Sequence, residues 1–180
     1  SAEHNCTLPF TRNTVGPMDY TPVTFSADSR HTSAGHELAL SVVYESPLQH
    51  FADGIDEYAA RPGAEAFLET VPATWAETRF VGGHPGTEAT IARRARDDHD
   101  ADDGDAGGEW FLGSITAGPQ RIVTADCSFL GEDTGEWTAE VVRDDGDDGL
   151  ETEEWTVTGG EALDVVVAPN GGFVARFEEA

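Results

Sequence analysis

The sequence reads as an α+β chain: a mixed leading segment with one buried helix, then an antiparallel β-sandwich. Three observations carry this. Leu38, Ala39, Leu40, Val42, Val43 and Tyr44 place apolar groups almost all round a helix, which marks a helix covered on every side. After Trp75 the helical period disappears and strict alternation of apolar and polar residues takes over. Turns rich in Gly, Asp and Asn then recur at short intervals, the pattern of a sandwich.

Taken in order, the stretch from His4 to Phe25 is the least generic. It holds three prolines and only two charged side chains, Arg12 and Asp19, in a chain otherwise saturated with acid. Thr7–Phe10 and Val15–Met18 read as two short buried strands joined through polar residues. Thr32 or Ser33 is the expected N-cap of the buried helix, and Pro47 its stop or kink. Ala64–Val71 reads as a further short helix ended by Pro72, and Trp75 marks the boundary, with a side chain expected to pack at the junction.

Eight strands are expected beyond it: 77–82, 87–96, 109–116, 121–129, 136–144, 151–158, 162–168 and 173–178. Val123, Ala125, Cys127 and Phe129 share one face, as do Trp137, Ala139 and Val141, and Phe173, Ala175 and Phe177. The acidic runs 97–105 and 144–149 read as mobile, self-repelling loops.

The 180 residues carry 35 acids against 10 basic residues, all of them Arg, for a formal net charge of −25. Nucleic acid is excluded as a partner, because phosphate contacts need basic clusters and Arg93, Arg94 and Arg96 are surrounded by acid. No apolar run approaches the ~20 residues that span a membrane. Acid excess without lysine reads as a surface adapted to high salt, where screening over a few ångströms removes self-repulsion. Cys6 and Cys127 lack metal-ligand spacing and read as small buried hydrophobes, a disulfide being the alternative. A (β/α)₈ barrel needs about 250 residues, so the chain cannot contain a whole one. The opening Ser-Ala-Glu-His shows no initiator Met or signal peptide and reads as the interior of a longer protein, from a halophile's cytoplasm or secreted.

Several runs resemble glycoside hydrolase family 97, the α-glucosidase and α-galactosidase group. LPFTRNTVGPMDYTP is similar to the last strands of that family's catalytic barrel, and HELALSVVYESPLQHFAD to the helix after them. VPATWAETRFVGGHPG resembles the entry to its C-terminal β domain, with TIARR and WFLGSIT as early strands. The resemblance implies that residues 1–75 are the remnant of a (β/α)₈ barrel and residues 76–180 the β-sandwich that closes it. It implies an enzyme hydrolysing α-glucosidic or α-galactosidic bonds, inactive as this piece alone, with an oligosaccharide substrate and a calcium site in the full-length protein.

Glycoside hydrolysis takes two carboxyl groups. The resemblance makes Glu3 the residue here most like a catalytic acid or a calcium ligand, with a solvated terminal side chain as the alternative. His4 beside it, Arg12 and Asp19 are the substrate-contacting candidates. Arg12 also reads as a structural ion pair, and Asp19 as the cap of an Asx-turn. The second carboxylate has no counterpart here. Asp98, Asp100, Asp102 and Glu109 fall at EF-hand positions, but Asp103 stands where the sharp turn requires Gly, so no metal site is assigned. A carbohydrate-binding sandwich using Trp155, and a purely structural halophilic domain, are the rival readings; Trp110 and Trp137 read as core. Oligomeric state and sugar configuration are not legible.

Overall fold

The computed structural model describes residues 1–20, 23–26, 30–46, 53–96, 108–146 and 148–180. Five helices precede the sheet: α1 (Ala2–Asn5), α2 (Arg12–Val15), α3 (Ala34–Val43), α4 (Ile55–Ala59) and α5 (Pro62–Thr70). The strands are β1 (Trp75–His84), β2 (Glu88–Ala95), β3 (Trp110–Thr116), β4 (Arg121–Asp126), β5 (Glu136–Asp145), β6 (Gly149–Thr158), β7 (Ala162–Val167) and β8 (Gly172–Glu179). All eight expected strands form, each within a few residues of the expected bounds. The fourth stops at Asp126, and a 3₁₀ turn at Ser128–Leu130 follows.

Six strands make one antiparallel sheet in the order β1-β2-β3-β8-β5-β6, and β4 pairs with β7 as a separate two-stranded sheet. Side chains alternate across the large sheet, so it feeds two cores. Trp110, Leu112, Trp137, Val141, Phe173 and Phe177 face β4–β7, where Val123, Ala125, Cys127, Leu163 and Val165 meet them. The three apolar faces read from the sequence all lie in this layer. Phe111, Ile115, Val142 and Val174 face the other way, onto α3, Phe67 and the N-terminal turns. The sandwich therefore has a helical third layer, and β3 is buried on both faces along its whole length.

The helix α3 begins as expected. Ser33 is its N-cap, accepting from the His36 N–H at 3.1 Å, and all ten residues are buried. It lies so close to β3 that a Cβ added at Gly113 would sit 2.9 Å from Val42 Cβ and 3.1 Å from the Ala39 carbonyl. The junction is aromatic: Trp75 meets Phe111 edge-on at 5.4 Å, and Phe67 meets it at 5.9 Å. Pro47 lies outside the described residues; the helix already ends at Val43, where Tyr44 turns extended.

The leading segment differs from expectation. Thr7–Phe10 is not a strand but a 3₁₀ turn at Leu8–Phe10, and Val15–Met18 is the end of α2 followed by irregular chain. No described residue before Trp75 is in a strand. The cause is local hydrogen bonding. The hydroxyls of Thr7, Thr11 and Thr14 donate to the carbonyls of Glu3, Thr7 and Thr11, which offers the backbone helical turns in place of a ladder. Pro9 favours the same outcome, with φ already near its helical value.

The acidic run at the end of β5 is also not a free loop. Asp144 is buried, and its carboxylate accepts from the N–H groups of Gly35 (2.8 Å), Gly172 (3.2 Å) and Ala168 (3.3 Å). It ties the first turn of α3 to β8 and the turn before it. Asp148 accepts from Arg30 at 2.5 Å and Arg61 at 3.1 Å. The other acidic run, 97–105, lies outside the described residues. No helix among the described residues is long and apolar enough to cross a membrane.

Candidate functional surface

The four residues singled out from the sequence all lie on the N-terminal segment. Glu3 and His4 sit on α1, Arg12 opens α2, and Asp19 follows it; all four are exposed. Among the described residues no hydrogen bond or ion pair joins their side chains, and Arg12 has no acidic partner of the structural kind. Asp19 stands between Met18 and Tyr20, which pack inward, Tyr20 edge-on to Tyr44 at 4.8 Å.

Behind this segment sit the perturbed groups. The His36 Nε2 lies 3.0 Å from the Asn5 amide nitrogen, which links α3 to α1. Burial pushes its imidazole down to about 4, partly offset by the backbone around Gly171, Thr116 and Asn170. Burial raises the Glu37 carboxyl, opposed by bonds from the Thr32 hydroxyl and the Thr24 N–H. Both thiols are free and buried in different cores, so the disulfide alternative falls. Burial pushes Cys6 to about 12 and Cys127 to about 11, leaving both inert as nucleophiles.

Arg93, read from the sequence as part of a basic cluster surrounded by acid, is 2% exposed. It donates to the carbonyls of Val42 (2.7 Å) and Val43 (3.1 Å) and to the Thr78 hydroxyl (2.7 Å), with Glu45 at 3.7 Å. Burial lowers it to about 10 and Glu45 works against that shift. Arg93 stands at the back of a groove of about 410 Å³ between the N-terminal turns and β1–β2, with Pro9, Phe10, Asn13, Phe80 and Ile91 among its walls. A polar cleft of about 540 Å³ lies elsewhere, bordered by Arg30, His31, Thr32, Asp148 and Pro169.

Among the described residues no cluster of three or more His, Cys, Asp or Glu side chains is placed to hold a metal ion. The Glu109 carboxylate, a candidate calcium ligand by spacing, is bound by Arg176, whose Nε is 3.0 Å away, and that contact lowers it. Trp155 is half-buried and packs against the core under β4–β7. Trp110 and Trp137 are core residues.

The family described as "Glycosyl-hydrolase 97 C-terminal, oligomerisation" matches residues 74–178. The chain belongs to this family. The match opens one residue before β1 and ends in β8, so it covers the sandwich and stops short of the helical segment. Relatives extend the likeness across that segment. A probable retaining α-galactosidase of Streptomyces bingchenggensis (strain BCW-1) is 43% identical over 178 residues, 97% of this chain and 26% of that protein. A retaining α-galactosidase of Bacteroides thetaiotaomicron (strain ATCC 29148) is 29% identical, covering 98% of this chain and 27% of that protein. Among solved structures, a glycoside hydrolase family 97 enzyme from Pseudoalteromonas sp. strain K8, in complex with acarbose, superposes with a TM-score of 0.87 at 30% identity, over 99% of this chain and 29% of that one. This family 97 C-terminal chain thus spans about a quarter of the length of the curated relatives it matches.

Proposed function

We propose that the chain is the C-terminal quarter of a family 97 glycoside hydrolase that cleaves α-galactosidic bonds, with α-glucosidic bonds the neighbouring specificity. The observation that carries this is the 43% identity to a probable retaining α-galactosidase over nearly the whole chain, helical segment included. In this reading residues 1–75 are the end of the catalytic barrel, with α3 as its last helix, and residues 76–180 the sandwich that braces it. The sharing of one core by α3 and the sheet supports a rigid junction.

Retention of configuration takes a nucleophilic and an acid–base carboxyl about 5 Å apart. At most one of them comes from this chain, and Glu3, solvent-facing on α1, is its candidate, as acid or as calcium ligand. His4, Arg12 and Asp19 are free to meet an oligosaccharide held by the upstream catalytic part. Calcium, as cofactor of the full-length enzyme, would be held there too. The test is ¹H NMR of the first-formed sugar released from a nitrophenyl α-galactoside by the full-length protein in molar salt. The α-anomer is expected first; the β-anomer would refute retention, and no release would refute the activity.

A further inference from the structure

The groove behind the N-terminal turns has features that its neighbours lack. Phe80, one of its walls, is 61% exposed although it stacks edge-on to Phe10 at 5.6 Å; Val15, outside the lining at the end of α2, is 85% exposed. Its walls are apolar apart from Asn13, two threonines and one ion pair, in which Glu45 faces the buried Arg93. On a chain of net charge −25 this is a nearly neutral patch. An apolar segment meets a chain of this charge at least cost where the chain presents no net charge. Asn13 adds a polar signal. Its Nδ2 donates to the Glu45 carbonyl at 3.3 Å, while its side-chain oxygen is buried with no donor among the described residues. An unpartnered buried acceptor costs about 1–3 kcal/mol, which a partner's N–H would recover.

We infer that this groove seats the catalytic part of the enzyme, taking up an uncharged apolar segment that brings one N–H or O–H donor to Asn13. The inference rests on the reading of the chain as the C-terminal quarter of a family 97 enzyme. Its occupant follows from two facts: residues 9–14, from the segment shared with the longer relatives but outside the sandwich match, form one wall, and the relatives carry about three-quarters of their length beyond this chain.

The test uses a chimaera in which this chain replaces the matching last quarter of the Streptomyces bingchenggensis relative. Phe80→Ser and Val15→Ser are introduced there and in the 180-residue chain, with Ile122→Ser, an exposed residue on β4, as control. In the 180-residue chain Val15→Ser and Ile122→Ser are expected to leave melting within about 2 °C of the parent, as surface changes do, and Phe80→Ser, which also loses the edge-on contact with Phe10, to lower it by no more than about 4 °C. In the chimaera the parent and Ile122→Ser are expected to be active and to melt in one transition. Phe80→Ser and Val15→Ser are expected to split that transition and to shorten the half-life of activity at least tenfold. An active chimaera whose single transition survives both substitutions would overturn the groove and leave the functional reading standing. A parent that melts in two steps would also overturn it, and one that is inactive as well would take the functional reading with it.

Discussion

The Arg93 guanidinium donates to the carbonyl of Val42 at 2.7 Å and so closes the C-terminal end of α3 from a neighbouring strand. The last carbonyls of a helix have no partner within it, and a cation there also meets the negative end of the helix dipole. One side chain on β2 thus satisfies two carbonyls that lie against the sheet. The helix so closed ends at Val43, four residues before Pro47.

Arg93→Ala is expected to destabilise the chain by about 3 kcal/mol or more, since it strands two buried acceptors at about 1–3 kcal/mol each. Arg93→Lys keeps the charge without the fork and is expected to fall between the two. Urea unfolding in molar salt reads both. A midpoint unchanged in the alanine variant would show that the helix end is closed by something else.

Asp144→Asn is expected to cost about 1–3 kcal/mol, because one amide nitrogen replaces an oxygen that accepts from backbone N–H groups. Asp145→Asn, one residue on and exposed, is the control and is expected to be neutral within about 0.5 kcal/mol. Equal effects at the two positions would refute the special role of Asp144.

Acid sensitivity follows from His36. Its folded value is pushed down to about 4 from an ordinary 6.5, so below pH 6.5 the unfolded chain binds a proton that the folded chain refuses. Stability is therefore expected to fall as pH drops from 6.5 towards 4, by an amount on the order of 3 kcal/mol at the low end. Glu37, raised by burial, acts with the opposite sign and softens the slope: its contribution is present at low pH and lost as pH rises through its folded value. His36→Gln is expected to flatten the fall in unfolding midpoint between pH 6.5 and 4.5. A slope as steep as that of the parent would exclude His36 as its source.

Salt dependence follows from the net charge of −25. The screening length grows from about 3 Å at 1 M to about 30 Å at 0.01 M, so repulsion among the acids returns as salt is withdrawn. The melting temperature is expected to fall by 10 °C or more, as an order of magnitude, between molar and 10 mM salt. Unchanged melting would contradict adaptation to salt.

The sandwich was legible because period-two alternation is written residue by residue: Phe173, Ala175 and Phe177 could face only one side. The cap at Ser33 was legible for a similar local reason. The leading segment was misread because an apolar run bracketed by prolines looks the same in a strand and in a 3₁₀ turn; the threonine hydroxyls decided it. Asp144 was hidden among other acids, where its neighbours argued for solvent. Arg93 was hidden in Arg93-Arg94, since only the fold shows which side of β2 faces α3. The candidate residues Glu3, His4, Arg12 and Asp19 came from the family resemblance, and no alternation or spacing pointed to them.

The central claim, that this chain completes an α-glycosidase, is tested most directly by assaying the full-length protein and the 180-residue chain side by side on nitrophenyl α-galactoside and α-glucoside in molar salt. The expected result is turnover by the full-length protein, faster on the galactoside, and none by the 180-residue chain. A full-length protein that hydrolyses neither substrate would contradict it.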